Sequence, residues 1–319
     1  MPVVPANEQT IVQAAERLRA GRLVAFPTET VYGLGADATN GEAVAGIFAA
    51  KNRPRFNPLI VHVPDVATAE RLVVFNDVAH ALAQAFWPGA LTLVLPKRPN
   101  CPIADLTTAG LDTLAIRVPS HPLAMRILRA AGVPVAAPSA NRSGHVSATK
   151  AAHVAADLAG VDVLIVDGGA APLGVESTVV TVRDGSVVLL RPGGVTAEAI
   201  EQITGQLMNR AGHGGAQPTS PGQLASHYAP RAMLRLHATS VSPGEALLAF
   251  GPYVPQHAGP IVNLSPRGDL KEAAANLFAA LRALDASGAA TIAVMPIPHA
   301  GLGEAINDRL QRAAAPRDA

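Results

Sequence analysis

The sequence predicts an α/β fold, with an open, twisted mixed sheet in a first unit and a second, smaller α/β unit after it. Segments with helical apolar spacing alternate with short apolar segments along most of the chain, which favours strands connected by helices. Asp184-Gly185 lies between two apolar runs and predicts a hairpin, so the sheet should contain antiparallel pairs. A stretch at 205–231, rich in Gly, Pro, Gln, Ser and His, predicts a linker between the units.

In the first unit, the helices begin and end at residues that favour such boundaries. Asn7 can cap the first helix and Gly21 can end it, while Pro122 suits the start of another. Helices are predicted between Asn7 and Gly21 and at 42–51, 77–87, 120–131 and 149–159. Strands are predicted at 22–26, 59–63, 91–95, 113–118, 133–137, 161–166, 178–182 and 186–190. The segment 27–35 is expected to begin a loop at the end of the first strand, where functional residues are common.

The second unit has its own alternating pattern. Strands are predicted at 233–236, 246–250 and 291–295, with a helix at 270–284. We therefore expect a first α/β unit at 1–207, a linker at 208–232 and a small α/β unit at 233–319.

Composition excludes several classes of protein. The 319 residues are 49% apolar, enough for a sizeable core, and the net charge of +1 gives no broad field for nucleic acid or anionic lipid. Cys101 is the only cysteine, which excludes disulfide frameworks and multi-cysteine metal sites. No signal pattern or apolar run of about 20 residues occurs. We expect a cytoplasmic protein.

One basic cluster stands out. The window 43–64 contains Lys51, Arg53 and Arg55 but no Asp or Glu. Uncompensated basic groups at a helix end suit an anion, with Lys51 as a compact charge and Arg53 as a bidentate donor to phosphate oxygens. The same residues could instead be solvated on a surface turn, where they would complement the negative end of the preceding helix. Spacing alone leaves both possibilities open.

Residues 33–38 match the G-x-G-x-x-A pattern of dinucleotide-binding folds, but their context argues against such a site. The acid expected roughly 20 residues later is absent, since no Asp or Glu lies between Glu42 and Asp65. A Walker A loop is also absent. Any ATP must therefore be held by another geometry.

Polar groups near predicted strand ends supply further candidates. The segments 138–144 and 176–178 carry hydroxyl and amide side chains that could bind phosphate, ribose or an amino acid, or could simply form turns and caps. Arg117, inside a predicted strand, is either solvent-facing or a buried clamp for a carboxylate. His62, His121, His145 and His227 have no spacing typical of metal ligands.

Taken together, four motifs resemble the YrdC family of L-threonylcarbamoyladenylate synthases over roughly 7–203. They are Lys51-x-Arg53 followed by Asn57-Pro58-Leu59, the segment 27–34, Pro138-Ser139-Ala140-Asn141, and Glu176-Ser177-Thr178. Ser220-Pro221-Gly222 with His227-Tyr228-Ala229-Pro230 resembles the longer branch, which adds a small Rossmann-like domain.

The resemblance implies a YrdC-like sheet with a deep cleft, where L-threonine, bicarbonate and ATP form threonylcarbamoyl-AMP and pyrophosphate. Mg²⁺ would arrive with ATP, and partner proteins would transfer the threonylcarbamoyl group to tRNA. Carried over by position, the threonine site would comprise Thr30, His62, Arg117, the backbone of Ala137 and Ser177. The ATP site would comprise Arg53, Asn57, Thr113, Ser139, Asn141, Ser147, Arg191 and Tyr228, with Lys51 beside the phosphates. Lys51 and Arg53 would stabilise the charge that develops during reaction.

One departure from the family pattern concerns the lid. The family linker carries a basic residue and an aromatic before His-Tyr, whereas this chain has Gln223-Leu224-Ala225-Ser226. Competing hypotheses are a tRNA-binding or double-stranded RNA-binding module, a carbamoyl transferase and a nicotinamide oxidoreductase. The low net charge disfavours the first. The missing zinc-binding cysteines disfavour the second, and the absent acid disfavours the third.

Overall fold

The computed structural model describes residues 3–183, 185–210 and 226–316. The strands of the first unit are β1 (Val3–Pro5), β2 (Leu23–Pro27), β3 (Tyr32–Asp37), β4 (Ile60–His62), β5 (Leu91–Pro96), β6 (Thr113–Arg117), β7 (Val135–Ala136), β8 (Val163–Asp167), β9 (Thr178–Arg183), β10 (Ser186–Arg191) and β11 (Asn209–Arg210). Its helices are α1 (Glu8–Arg19), α2 (Gly41–Lys51), α3 (Val66–Leu72), α4 (Asp77–Phe86), α5 (Asp105–Thr108), α6 (Pro122–Ala131), α7 (Ala151–Asp157) and α8 (Ala197–Thr204).

These strands form one mixed sheet in the order β1-β8-β2-β3-β7-β4-β6-β5-β9-β10-β11. The sheet contains parallel pairs, such as β4 with β6, and antiparallel pairs, such as β9 with β10. The predicted mixed sheet is therefore confirmed. The turn of the predicted hairpin includes Asp184, which lies outside the described residues.

Local sequence explains the boundaries of several helices. Asn7 accepts a hydrogen bond from the Thr10 amide at 2.9 Å, and the Thr10 hydroxyl accepts one from the Asn7 amide at the same distance. This reciprocal capping box satisfies two amides that α1 would leave unpaired. At its other end, α2 stops at Asn52 in the left-handed conformation (φ 50°), which directs Arg53 away from the helix axis and towards the sheet.

The core is built on both faces of this sheet. The largest apolar cluster packs α2, α4 and α7 against one face through residues such as Ile47, Leu82 and Ile116. On the other face, α1 and α6 cover the β8–β2 side, where Phe26 and Ala137 share a second cluster. In the described part of the chain, the latter face continues past α6 without a helix above β4 and β6. Space for a pocket remains there.

The second unit contains β12 (Met233–Arg235), β13 (Ala246–Ala249), β14 (Ile261–Asn263), β15 (Thr291–Val294), α9 (Leu270–Ala286) and α10 (Leu302–Ala314). Its strands form a parallel sheet in the order β12-β15-β13-β14. The predicted smaller α/β unit is confirmed. No helix of the described ranges is long and apolar enough to cross a membrane.

Several elements were not predicted. Residues 32–35, expected in a loop, belong to β3, since Gly33 and Gly35 pair with β2. Very short elements such as β1, α3, α5 and β14 carry too few residues for a periodic signal. In contrast, α10 shows apolar residues at 302, 306 and 310, a helical spacing that the prediction missed. The short strand β11 lies inside the predicted linker, and 211–225 are outside the described residues. The boundaries at 207 and 232 stay predictions.

The two units meet at very close range. One apolar cluster joins Val31, Val146 and Val175 of the first unit to α9 and α10. Gly174 (φ +74°) lies so near α9 that a Cβ built on it would be 2.3 Å from the carbonyl oxygen of Ala274. Only glycine fits this position.

This contact predicts that Gly174→Ala is more destabilising than an equally strained change elsewhere. Gly160 has a similar φ of +88°, but a Cβ added to it would meet no described atom within 4 Å, so Gly160→Ala measures strain alone, about 1–2 kcal/mol. Gly174→Ala should cost about 1–3 kcal/mol more, because α9 must move. Denaturant unfolding of both variants measures the difference, and equal losses would show that the contact does not hold the units together.

Candidate functional site

The candidate site is a pocket over the face of the sheet that α6 leaves uncovered. Ile60 and His62, two residues apart on β4, face the pocket, while Val61 faces the main core. It contains about 570 Å³ of empty volume, part of which is open to solvent. Its lining residues are Thr28, Thr30, Val31, Gly33, Arg53, Ile60, His62, Arg117, Ala137, Pro138, Ser139, Glu176, Ser177, Arg191, His227 and Tyr228.

Arg117 is a buried clamp at the end of β6. Its Nη2 contacts Glu29 Oε1 at 2.5 Å, its Nη1 donates to the Thr30 hydroxyl at 3.0 Å, and its Nε donates to the Gly89 carbonyl at 2.9 Å. Burial alone would raise the pKa of Glu29, but Arg117 holds it below its ordinary value. A guanidinium has five N–H groups, so Arg117 retains donors for a ligand carboxylate.

His62 is a neutral imidazole next to this clamp. It pairs in register with Arg117 across β4 and β6. Burial, assisted by the positive charge of Arg117, lowers the pKa of His62 to about 3. His62 Nδ1 is buried and has no hydrogen-bond partner among the described residues. The ring can therefore contact a ligand without adding positive charge.

Two other guanidinium groups in the pocket have no carboxylate within salt-bridge distance in the described part of the chain. Arg53 donates to the carbonyls of Asn57 and Pro58, and Arg191 donates to the carbonyl and hydroxyl of Ser177. Their exposed fractions are only 9% and 4%. Burial lowers the pKa of Arg53 to about 10 and also lowers that of Arg191. Two buried positive charges beside an open space favour an anionic ligand.

Ser177 lies between these groups, immediately before β9. Its hydroxyl shares a hydrogen bond of 2.8 Å with Thr92 and accepts one of 3.2 Å from Arg191. A Cβ on Gly193 would lie 2.4 Å from the Glu176 carbonyl oxygen. Glycine at 193 thus allows the chain after Arg191 to pass directly over the backbone that carries Ser177.

The roof of the pocket is formed by His227 and Tyr228. Tyr228 has a φ of 63° and is buried, and its ring stacks on Phe278 of α9 at a centroid distance of 5.6 Å. Arg309 of α10 lies 5.1 Å from the ring centre. The Ala229 amide donates to the Gly144 carbonyl at 2.9 Å. The roof is consequently held by both units, while the Tyr228 hydroxyl itself has no hydrogen-bond partner within the described ranges.

The structure brings most of the residues predicted from sequence to this pocket. The nine that line it are Thr30, Arg53, His62, Arg117, Ala137, Ser139, Ser177, Arg191 and Tyr228. The other five candidates are buried or half-buried nearby but do not line it: Lys51, Asn57, Thr113, Asn141 and Ser147. Their roles stay predictions.

Lys51 differs most from expectation. Its Nζ donates to the carbonyls of Ser139 (2.6 Å) and Asn141, so it ties the 139–141 loop to α2 rather than entering the empty space. Burial and the neighbouring Arg53 lower the pKa of Lys51 well below its ordinary value. An anion alongside would raise that pKa again.

Two of these five residues, Thr113 and Ser147, are related to residues that line the pocket. Thr113 lies on the same face of β6 as Arg117, four residues and about 13 Å away along the strand. Ser147 donates its hydroxyl proton to Glu176 Oε1 at 2.5 Å.

Of the residues not predicted, Glu29 lies within a quoted motif, and its pairing with Arg117 could have been proposed. Arg309 is 133 residues from Glu176, and no local sequence signal could identify their contact.

Comparison with known proteins gives consistent matches. A family model for Sua5, YciO and YrdC, described as "Telomere recombination", matches residues 16–193. A model described as the C-terminal domain of threonylcarbamoyl-AMP synthase matches residues 195–315.

The relatives match over nearly their whole length. A protein named threonylcarbamoyl-AMP synthase from Bacillus subtilis strain 168 is 44% identical to this chain, and the match covers 98% of this chain and 94% of that relative. A protein of the same name from Pyrococcus abyssi is 42% identical, and the match covers 98% of this chain and 96% of that relative. A crystal structure of Pyrococcus abyssi Sua5 complexed with L-threonine is 38% identical, with a TM-score of 0.91 and 98% coverage of both chains.

The neutral state of His62 predicts a pH dependence of stability. The unfolded histidine binds a proton near pH 6.5, whereas the folded one does so only at about pH 3. The unfolded state therefore binds more protons between these values. The free energy of unfolding should fall by about 1.4 kcal/mol per pH unit for His62 as pH decreases below 6.5.

Denaturant unfolding between pH 7 and pH 5 tests this expectation. His62→Gln should reduce the slope of stability against pH by the contribution of one proton. The half-exposed His80 supplies the control, since His80→Gln removes a histidine on α4 outside the pocket. Identical slopes for the wild type and His62→Gln would show that His62 is not buried in its neutral form.

Proposed function

The chain belongs to the threonylcarbamoyl-AMP synthase family, in the long form with a C-terminal Sua5 domain, and from this premise we propose how its pocket performs the reaction. L-threonine, bicarbonate and ATP combine to give threonylcarbamoyl-AMP, pyrophosphate and water. The activity transfers an adenylyl group, so we classify the enzyme as a nucleotidyltransferase.

The observation that supports this proposal most strongly is the pair of guanidinium groups, Arg53 and Arg191, buried without a carboxylate partner within salt-bridge distance among the described residues. Leaving charges unpaired away from water is costly. Phosphate oxygens supply the missing negative charge and accept parallel hydrogen bonds from the planar guanidinium. We therefore assign Arg53 and Arg191 to the phosphates of ATP.

The threonine site is assigned to the Arg117 side of the pocket. Arg117 offers donors to the substrate carboxylate, and the hydroxyls of Thr30 and Ser177 are placed to bond polar groups of the amino acid. His62 and the backbone of Ala137 complete the wall. Since His62 is neutral, it adds no positive charge beside the amino group of threonine.

The nucleoside end of ATP is assigned to the direction of Thr113. Between Thr113 and Arg117, the same face carries a small apolar cluster of Ile60, Val94, Ala115 and Val179, a surface that suits adenine. Asn57, Ser139, Asn141 and Ser147 are proposed as further hydrogen-bonding groups for ATP. Asn57 has a buried side-chain amide, neither atom of which is bonded to a described residue, consistent with a ligand contact.

The chemistry requires positioning and charge stabilisation rather than a protein nucleophile. The uncharged threonine amine attacks the carbon of bicarbonate, and water leaves to give a carbamate. A carbamate oxygen then attacks the α-phosphate, and pyrophosphate departs. Arg53 would stabilise the negative charge that spreads over the phosphates, and Lys51, whose pKa an adjacent phosphate raises, would add to it.

Magnesium would enter with the nucleotide. The described residues contain no group of three or more His, Cys, Asp or Glu arranged to hold a metal, which fits an ion bound by phosphate oxygens and water. Such an ion would neutralise phosphate charge during pyrophosphate release.

Tyr228 would act as a lid. His227 and Tyr228 line the pocket as its roof. Their segment would move aside for substrates to enter, and its return would exclude water from a labile intermediate. The atypical 223–225 stretch lies outside the described residues. Lid contacts from it stay a prediction.

The product is a mixed anhydride that another catalyst must consume. We propose that threonylcarbamoyl-transferase proteins move the group to tRNA, with only weak or indirect tRNA contact by this chain. The cytoplasmic location expected from sequence also stays a prediction.

A direct assay tests the activity. Purified protein incubated with ATP, Mg²⁺, L-threonine and bicarbonate should release pyrophosphate and form threonylcarbamoyl-AMP only when all the substrates are present. Hydrolysis of ATP that is independent of threonine and bicarbonate would contradict the assignment.

Two variants test the separate ATP and threonine sites in the same assay. Arg53→Ala should raise the KM for ATP on the order of tenfold or more, and Ser177→Ala should mainly raise the KM for threonine, because each loses a hydrogen bond to a charged ligand group. Arg55, exposed two residues from Arg53, supplies the control, and Arg55→Ala should change neither constant. Equal effects of Arg53→Ala and Ser177→Ala on both substrates would disprove the division.

A further inference from the structure

We propose that Arg309, in the C-terminal unit, is a positioning residue for the substrate pocket of the first unit. It holds Glu176 in place, and Glu176 in turn orients Ser147 and the start of β9 at Ser177. The kinetic part of this assignment rests on the proposed function, whereas its structural part does not.

Arg309 is fully buried and contacts three parts of the site at once. Its Nε donates to Glu176 Oε2 at 2.8 Å, and its Nη1 donates to the Pro192 carbonyl at 2.9 Å. Its guanidinium lies 5.1 Å from the centre of the Tyr228 ring. One side chain from α10 therefore holds the residue before Ser177, the residue after Arg191, and the roof.

Glu176 connects Arg309 to the residues of the pocket. It lines the pocket, and its second oxygen, Oε1, accepts the hydrogen bond from Ser147. Its carbonyl lies so near Gly193 that no side chain fits there. A rotation of Glu176 would thus shift Ser147, Ser177 and the 191–193 segment together.

The charges around Glu176 explain why an arginine is needed. From α10 it faces Arg309, which is also paired with Asp308, from β10 it faces Arg191, and from the roof it faces Tyr228. Burial alone would raise the pKa of Glu176, but Arg309 first and Arg191 second hold it below its ordinary value. Without Arg309, only Arg191 would remain to balance this carboxylate, in the wall of a pocket that we propose receives triphosphate. The carboxylate would then repel the nucleotide or take up a proton.

A second arginine strengthens the same connection. Arg282 of α9 donates to the carbonyls of Val146 and Ser147 and pairs with Asp157 at 2.5 Å. Ser147 is therefore fixed through its backbone by α9 and through its hydroxyl by Glu176. The C-terminal unit completes the wall of the pocket rather than merely lying beside it.

Amide hydrogen exchange of the substrate-free protein tests the positioning directly. Arg309→Met should increase exchange at 176–178 and 193–195 on the order of tenfold, because the anchored segments lose their restraint. Arg309→Lys keeps the positive charge but cannot form the same two hydrogen bonds, so it should increase amide exchange less than Arg309→Met does. This second variant keeps the test valid if Arg309→Met does not fold. Arg267, whose side chain is 82% exposed, supplies the control, and Arg267→Met should leave these segments unchanged. Unchanged exchange in both Arg309 variants would overturn the proposal, whatever the activity.

The KM for ATP and its pH dependence distinguish a positioning role of Arg309 from a role only in holding the two units together. Arg309→Met should raise the KM for ATP on the order of tenfold, and this KM should rise further as pH increases and Glu176 loses its proton. Adding Glu176→Gln removes the unbalanced charge and should abolish that pH dependence. An ATP KM that is independent of pH in Arg309→Met, or that responds identically with and without Glu176→Gln, would overturn the electrostatic role. If the wild type forms no threonylcarbamoyl-AMP, the proposed function fails, while the exchange result still decides the role of Arg309.

Discussion

The constraint on which the structure depends is the burial of positive charge. Arg53, Arg117 and Arg191 are all withdrawn from water around one pocket, and each must be compensated. Glu29 balances Arg117, while carbonyl and hydroxyl groups only partly satisfy the other two. Under the proposed function, the negative charges of the ATP phosphates would complete this compensation.

The same constraint explains why two units are needed. The mixed sheet supplies His62 and Arg117 from the adjacent strands β4 and β6, and Ser177 immediately before β9, but one wall and the roof are incomplete without α9 and α10. Phe278 supports the Tyr228 ring, and Arg309 neutralises Glu176. Gly174 allows the first unit to approach the backbone of α9 closely. The roof also contacts both units, through Phe278 of α9 and the carbonyl of Gly144.

Sequence predicted the fold class and the positions of most strands, because alternating apolar runs and caps such as Asn7 are local signals. The site was predictable mainly through the family resemblance: nine of the residues carried over from it by position line the pocket. Spacing alone could not decide whether Arg53 was a surface group, since its burial comes from strands distant in sequence. Lys51 was expected at the phosphates, yet its amine is bonded to the 139–141 loop. The Arg309–Glu176 pair spans two units and has no local signature.

The most direct measurement of the central claim is a crystal structure with L-threonine and a non-hydrolysable ATP analogue bound together. The charge arrangement predicts the threonine carboxylate on Arg117 and the phosphates between Arg53 and Arg191, with Tyr228 above them and Glu176 still paired with Arg309. A nucleotide bound elsewhere, for example at the edge of the β12–β15 sheet, with Arg53 and Arg191 left without an anion, would contradict it.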